Sequence, residues 1–185
     1  MKKFDNIKSG SWAPRSWLSR SLTITAAALL ATTAVAHEES PKYTMTIIKN
    51  VSYSQKVARG DYDEAIEKLT ARKYRGRETY ASKTNLCVAY TKSGDLDNAQ
   101  VACNAALDQI RARKDRSLKV GFLPEYTASG YRAYLALALS NRGVLHAVNG
   151  DEEQARSDFM EALELEAGLS APRINLARLD DTKLD

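Results

Sequence analysis

Cys87 and Cys103 are the residues of this chain best placed to form a covalent bond. They are its only cysteines, 16 positions apart, with the turn-like Ser93-Gly94-Asp95 between them. Cys87 lies seven residues before Gly94 and Cys103 nine after it, so helices folded back at that glycine would bring the thiols nearly opposite. Two outcomes are open. If the Cβ atoms come within about 3.5–4.5 Å, a disulfide can form. It would close a 17-residue loop, worth roughly 3 kcal/mol in the chain-entropy account. Otherwise the pair are buried free thiols acting as small apolar fillers. Neither has a neighbouring His or basic setting that would make a nucleophile of it, and the spacing matches no zinc pattern.

Other candidate chemistry is thinner. The two histidines are His37 and His146. A free amino terminus at His37 could hold copper with its own imidazole, but that chemistry normally needs a second His close by. No Ser/His/Asp set, phosphate loop or paired-carboxylate site can be assembled. The acids fall in turns and helix starts, where the helix dipole accounts for them. The sequence therefore predicts no enzyme, no cofactor and no metal.

The first 36 residues read as a leader. Lys2, Lys3, Lys8, Arg15 and Arg20 form a basic region, Leu22 to Val35 an apolar stretch, and Ala34-Val35-Ala36 a small-residue cleavage site. The apolar stretch holds 14 residues, short of the roughly 20 that span a bilayer. The expected product is exported after cleavage following Ala36, periplasmic in a double-membraned cell, and not an integral membrane protein. The whole chain carries a net +4, but beyond the leader basic and acidic residues balance at 22 each. Nothing in that balance points to nucleic acid. Export also favours an oxidised cysteine pair.

The elements that must position these residues announce themselves by repetition. Gly60-Asp61-Tyr62-Asp63-Glu64-Ala65 is echoed by Gly94-Asp95-Leu96-Asp97-Asn98-Ala99 and by Gly150-Asp151-Glu152-Glu153-Gln154-Ala155. The first two copies start 34 residues apart, and the third follows after 56, or one period plus an insertion of 22. Residues 37–46 are polar and contain Pro41, and 37–49 reads as an extended or mobile start. Ser52 and Gln55 offer a capping box for a short helix to about Arg59, and a second helix runs over about 62–74 to a stop at Gly76. Hairpins follow at about 78–92 with 96–113, and at about 127–148 with 151–167. Ser170-Ala171-Pro172 opens a last helix, and 181–185 reads as a frayed tail.

This pattern resembles the tetratricopeptide repeat (TPR) family, whose period is 34 residues. The second repeat carries the family's large, small, aromatic, Ala, bulky and Ala positions as Leu86, Cys87, Tyr90, Ala99, Cys103 and Ala106. The third offers Gly143, His146, Ala155, Phe159 and Ala162, with Arg142 where a large apolar residue is usual. The first repeat keeps Ala65 and Leu69, and Asn175-Leu176-Ala177 repeats Asn141-Arg142-Gly143 after another 34 residues. The resemblance covers roughly 50–180 and implies an all-α, TPR-like α-solenoid of about three antiparallel hairpins with a C-terminal capping helix. It also puts His146 at an aromatic packing position.

The resemblance further implies a binding face. Asn85, Asn141 and Asn175 share one position of their helices, which in TPR superhelices looks onto the concave surface. In some members such asparagines hydrogen-bond an extended peptide backbone, since an amide donates and accepts at once. Thr84, Val88, Lys92, Leu137, Ser140, Val144 and Val148 would line the same groove. Thr84, Val88 and Ser140 depart from the basic clamp that some members use for a C-terminal carboxylate. The insertion holds Arg111, Arg113, Lys114, Arg116 and Lys119 ahead of Gly121-Phe122-Leu123-Pro124. It reads as two lengthened helices with a solvated basic face rather than a partner-binding loop. The expected function is a non-catalytic protein–protein interaction module of the cell envelope, taking a peptide segment or helix of an envelope protein. The alternative is a structural assembly or self-association unit whose groove is filled by its own N-terminal segment, where Tyr43, Met45, Ile47 and Ile48 supply apolar surface.

Overall fold

The computed structural model describes residues 43–71, 79–119 and 125–181, all within the unit that spans Glu39–Asp185. The expected leader, residues 37–42, the expected stop at Gly76, residues 120–124 and residues 182–185 lie outside the described residues. Seven helices follow one another: α1 (Ser54–Arg59), α2 (Tyr62–Thr70), α3 (Tyr80–Ser93), α4 (Leu96–Lys119), α5 (Glu125–Val148), α6 (Glu152–Leu165) and α7 (Ser170–Asp181). The described residues contain no strand, so the chain is all-α. Each helix packs on the next in chain order, and the odd-numbered helices also touch in series, α1 on α3, α3 on α5 and α5 on α7.

The echoed hexapeptide has a physical reason. Gly60, Gly94 and Gly150 adopt φ of 87°, 84° and 86°, the left-handed conformation in which a Cβ would be strained. That conformation lets the following Asp amides donate back into the helix just ended: Asp61 to Lys56, Asp95 to Tyr90 and Asp151 to His146. The Asp carbonyls then accept the first helical bond of the next element, from Ala65, Ala99 and Ala155, each at 3.0 Å. All three alanines are fully buried where the paired helices meet. Gly supplies the reversal, Asp starts the next helix, and Ala permits the close approach.

Two helix starts differ from the sequence expectation. Ser52 does not cap α1. Its cap position is Tyr53, at φ 60° with no side-chain cap bond, and Asn50 is also left-handed at φ 60°. Non-glycine residues in this conformation cost roughly 1–2 kcal/mol each, and Asn tolerates it better than Tyr. The capping box sits instead at α3, where the Thr79 hydroxyl accepts from the Ser82 amide and the Ser82 hydroxyl accepts from the Thr79 amide. Helix α2 ends at Thr70, short of 74. The insertion lengthens α4 and α5 to 24 residues each.

Cys87 and Cys103 face each other between α3 and α4 with their Sγ atoms at bonding distance, 2.02 Å, and Cα atoms 4.8 Å apart. Leu69, Leu86, Ala99, Ala102 and Leu145 surround them. Further along, Gly143 on α5 accommodates Phe159 of α6 so closely that a Cβ there would lie 2.6 Å from the ring. Arg142, where the sequence pattern leads one to expect an apolar residue, is held instead by a carboxylate and a neutral amide. Its Nε and Nη2 donate to the Asp158 carboxylate at 2.8 and 2.7 Å, and Nη1 donates to Asn104 Oδ1 at 3.2 Å, joining α5, α6 and α4.

Candidate peptide groove

Asn85, Asn141 and Asn175 sit on α3, α5 and α7, the odd-numbered helices, and none has measurable exposure. A buried amide must find partners or cost heavily. Each finds both partners on a single residue of the segment 43–48. Asn175 Oδ1 accepts from the Thr44 amide at 2.8 Å while its Nδ2 donates to the Thr44 carbonyl at 2.7 Å. Asn141 does the same with Thr46, at 2.8 and 2.7 Å. Asn85 does it with Ile48, at 2.8 and 2.9 Å.

Bonding at every second residue is the signature of an extended chain. In a strand, the N–H and C=O of one residue point to the same edge, and the next residue points to the other. Each asparagine therefore acts as one peptide unit of a neighbouring strand. The amides repeat at the advance of two extended residues, about 6.7 Å. The segment meets the odd-numbered helices in the reverse of their chain order, α7 first and α3 last. Both functions of each amide are used, which also fixes which end is oxygen and which nitrogen.

The other edge and the side chains are held too. Lys92 Nζ donates to the Tyr43 carbonyl at 3.2 Å, and Arg178 Nη1 donates to the Thr44 hydroxyl at 3.2 Å. Burial pushes the half-buried Lys92 ammonium below the usual lysine range, and the nearby Arg178 charge adds to this. Tyr43 packs with Val144, Phe159 and Leu179. Ile47 packs with Val57, Val88 and Ala89. Met45 touches three apolar clusters, including the one around the disulfide. Its unbranched thioether suits such an irregular junction.

The expected groove residues divide. Lys92 bonds the segment; Val88 and Val144 are buried against its side chains. Thr84 is buried with its hydroxyl donating to the Tyr80 carbonyl of its own helix. Ser140 is buried, and its hydroxyl has no hydrogen-bond partner among the described residues. Leu137 is half-buried on α5, beside Ala136 and Ala138 of the core. Val148 is 48 % exposed at the end of α5. Sequence reasoning missed Arg178 and the Arg142–Asp158 pair. His146, expected to pack, stands between two carboxylates, with Nδ1 3.7 Å from Asp151 and Nε2 3.8 Å from Asp158.

Among the described residues no three metal-binding side chains converge, and no helix is long and apolar enough to cross a membrane. Comparison with known proteins found no family model that matches the chain, no similar curated protein and no similar solved structure.

Proposed function

We propose that this chain is a non-catalytic, TPR-like interaction module of the cell envelope whose concave groove recognises extended polypeptide by its main chain. Its resident guest is its own segment 43–48, so the module works as a structural and assembly unit. The observation that carries this reading is the set of six bonds from Asn85, Asn141 and Asn175 to Thr44, Thr46 and Ile48. Export to the periplasm is supported by the basic region, apolar stretch and small-residue site of residues 1–36.

One observation keeps an envelope peptide in view as a second guest. All six asparagine bonds go to backbone atoms, so another extended segment with apolar residues at alternate positions would meet the same amides. Such a guest must first displace residues 43–48.

The test is a labelled peptide of sequence Tyr43–Ile48 added to the full chain carrying Met45→Asp, which puts a charge where Met45 packs and loosens the resident segment. The peptide should bind this variant and fail to bind it once Asn85→Ala and Asn141→Ala are added. Equal binding to both would remove the asparagines from the reading.

A further inference from the structure

We propose that segment 43–48 is exchanged between two copies of this chain, each copy seating its strand in the other's groove to form a closed two-fold dimer. The inference rests on the reading of the groove given above and adds the identity of its second occupant.

The strand's bonds are all remote in sequence. Thr44, Thr46 and Ile48 are bound by residues 131, 95 and 37 positions away. No contact of the groove depends on the strand belonging to the same molecule. What ties it there is the connector 49–53 before α1. That connector bends back on itself, and two of its residues, Asn50 and Tyr53, are held at φ 60°. Left-handed backbone is strained for both, and above all for tyrosine.

Straightening the connector lifts that strain and sends the strand away from its own groove. Five extended residues reach about 17 Å, enough to cross to an adjoining copy. A second chain offers the same three amides and the same apolar seats. The exchange therefore needs no new interface, and two-fold symmetry closes it without leaving a free strand. A strained connector is the condition under which such swapping is favoured. The groove wall that waits for the strand is braced, since the Cys87–Cys103 bridge ties α3, which carries Asn85, to α4.

Light scattering of the chain beyond the leader, over a range of concentrations, tests this with hinge variants of opposite sign. Asn50→Pro cannot take a positive φ and, because a closed dimer opens two such hinges, should raise the dimer association constant about a hundredfold. Asn50→Gly at the same exposed position removes the penalty in the bent form and should lower it by up to about a hundredfold, each of the two hinges contributing the size of one relieved or forbidden left-handed residue. Native mass spectra of mixed heavy and light chains should show mixed dimers forming at the rate of strand release. A chain that stays monomeric even with Asn50→Pro overturns the proposal, as does a dimer whose population ignores both hinge changes. The underlying groove reading fails separately. Its failure would appear as an unchanged melting temperature in the monomer when Asn85 and Asn141 are replaced by Ala.

Discussion

Asn85 holds Ile48 by both halves of one peptide residue, accepting its amide proton at 2.8 Å and donating to its carbonyl at 2.9 Å. Ile48 is itself buried, and Asn85 is inaccessible to solvent. The pair thus behaves as a short piece of β-ladder made from a helix side chain and a strand. Thr46 with Asn141 and Thr44 with Asn175 repeat it towards a more exposed end.

That gradient predicts an order of effects. Replacing each asparagine by Ala removes two bonds of about 1 kcal/mol apiece. Asn85→Ala should cost about 2–3 kcal/mol, because the Ile48 backbone is left buried and unpaired. Asn175→Ala should cost the least, because water can replace the amide at Thr44. Urea denaturation gives the numbers, and a reversed order would contradict the ladder.

The Arg142–Asp158 pair predicts an asymmetry. Asp158 has only 6 % of its side chain exposed, Arg142 21 %, and the same carboxylate raises the guanidinium's affinity for its proton. Arg142→Met strands a buried carboxylate and should cost about 3 kcal/mol. Adding Asp158→Leu should restore most of that loss. A double variant as unstable as the single one would show that the ion pair is needed for more than mutual neutralisation.

Gly143 predicts a steric effect that leaves charge untouched. A methyl group there meets the Phe159 ring at 2.6 Å and the Ala155 carbonyl at 3.2 Å. Gly143→Ala should destabilise by about 2 kcal/mol, against the usual gain from Ala in a helix. Phe159→Leu in the same chain should make the Gly143 change nearly neutral.

Reduction of the Cys87–Cys103 bridge should lower stability by about 3 kcal/mol for a loop of this length. Cys87→Ala with Cys103→Ala should reproduce the loss and abolish the response to reductant. Equal stability with and without reductant in the parent chain would contradict a structural role for the bridge.

Lys92 supplies the pH dependence. Its proton affinity is lowered by burial, so between the folded and unfolded midpoints the unfolded chain holds more protons. Stability from this group therefore rises with pH across that window, and its full cost is present below it. Tyr80 and Tyr90 are pushed up by burial and act in the opposite sense at high pH. The clean readout is consequently the NMR titration of the Lys92 Cε, expected below the ordinary lysine value. Met45→Asp, by loosening the strand over Lys92, should move it back towards that value.

How far the sequence revealed these features depended on where each signal lay. The turns were legible because Gly, Asp and Ala do separate jobs at fixed offsets. The asparagines were legible through the 34-residue step, and the apolar Tyr43, Met45, Ile47 and Ile48 marked the segment that packs beside them. Their register was hidden, because an amide binds backbone atoms that every residue possesses. Ser52 misled, since a suitable cap residue and Gln55 three positions on ignored the left-handed turn at Tyr53. Thr79 and Ser82 were missed because Ser is an uncommon reciprocal partner in a capping box. Arg142 was visible as an anomaly, but nothing in the spacing marked Asp158, in the middle of α6, as its partner.

The order of seats along the strand also has a consequence in time. Thr44, among the earliest described residues to leave the ribosome, is fixed by Asn175, 131 positions later. Its seat does not exist until the last helix has been made and has docked. The Thr44 end of the strand must wait while the hairpins form around their local turns, and long-range closure of this kind is the slow part of folding. An unfinished chain can seat Ile48 on Asn85, 37 positions on, yet leaves Thr44 unheld until α7 has been made.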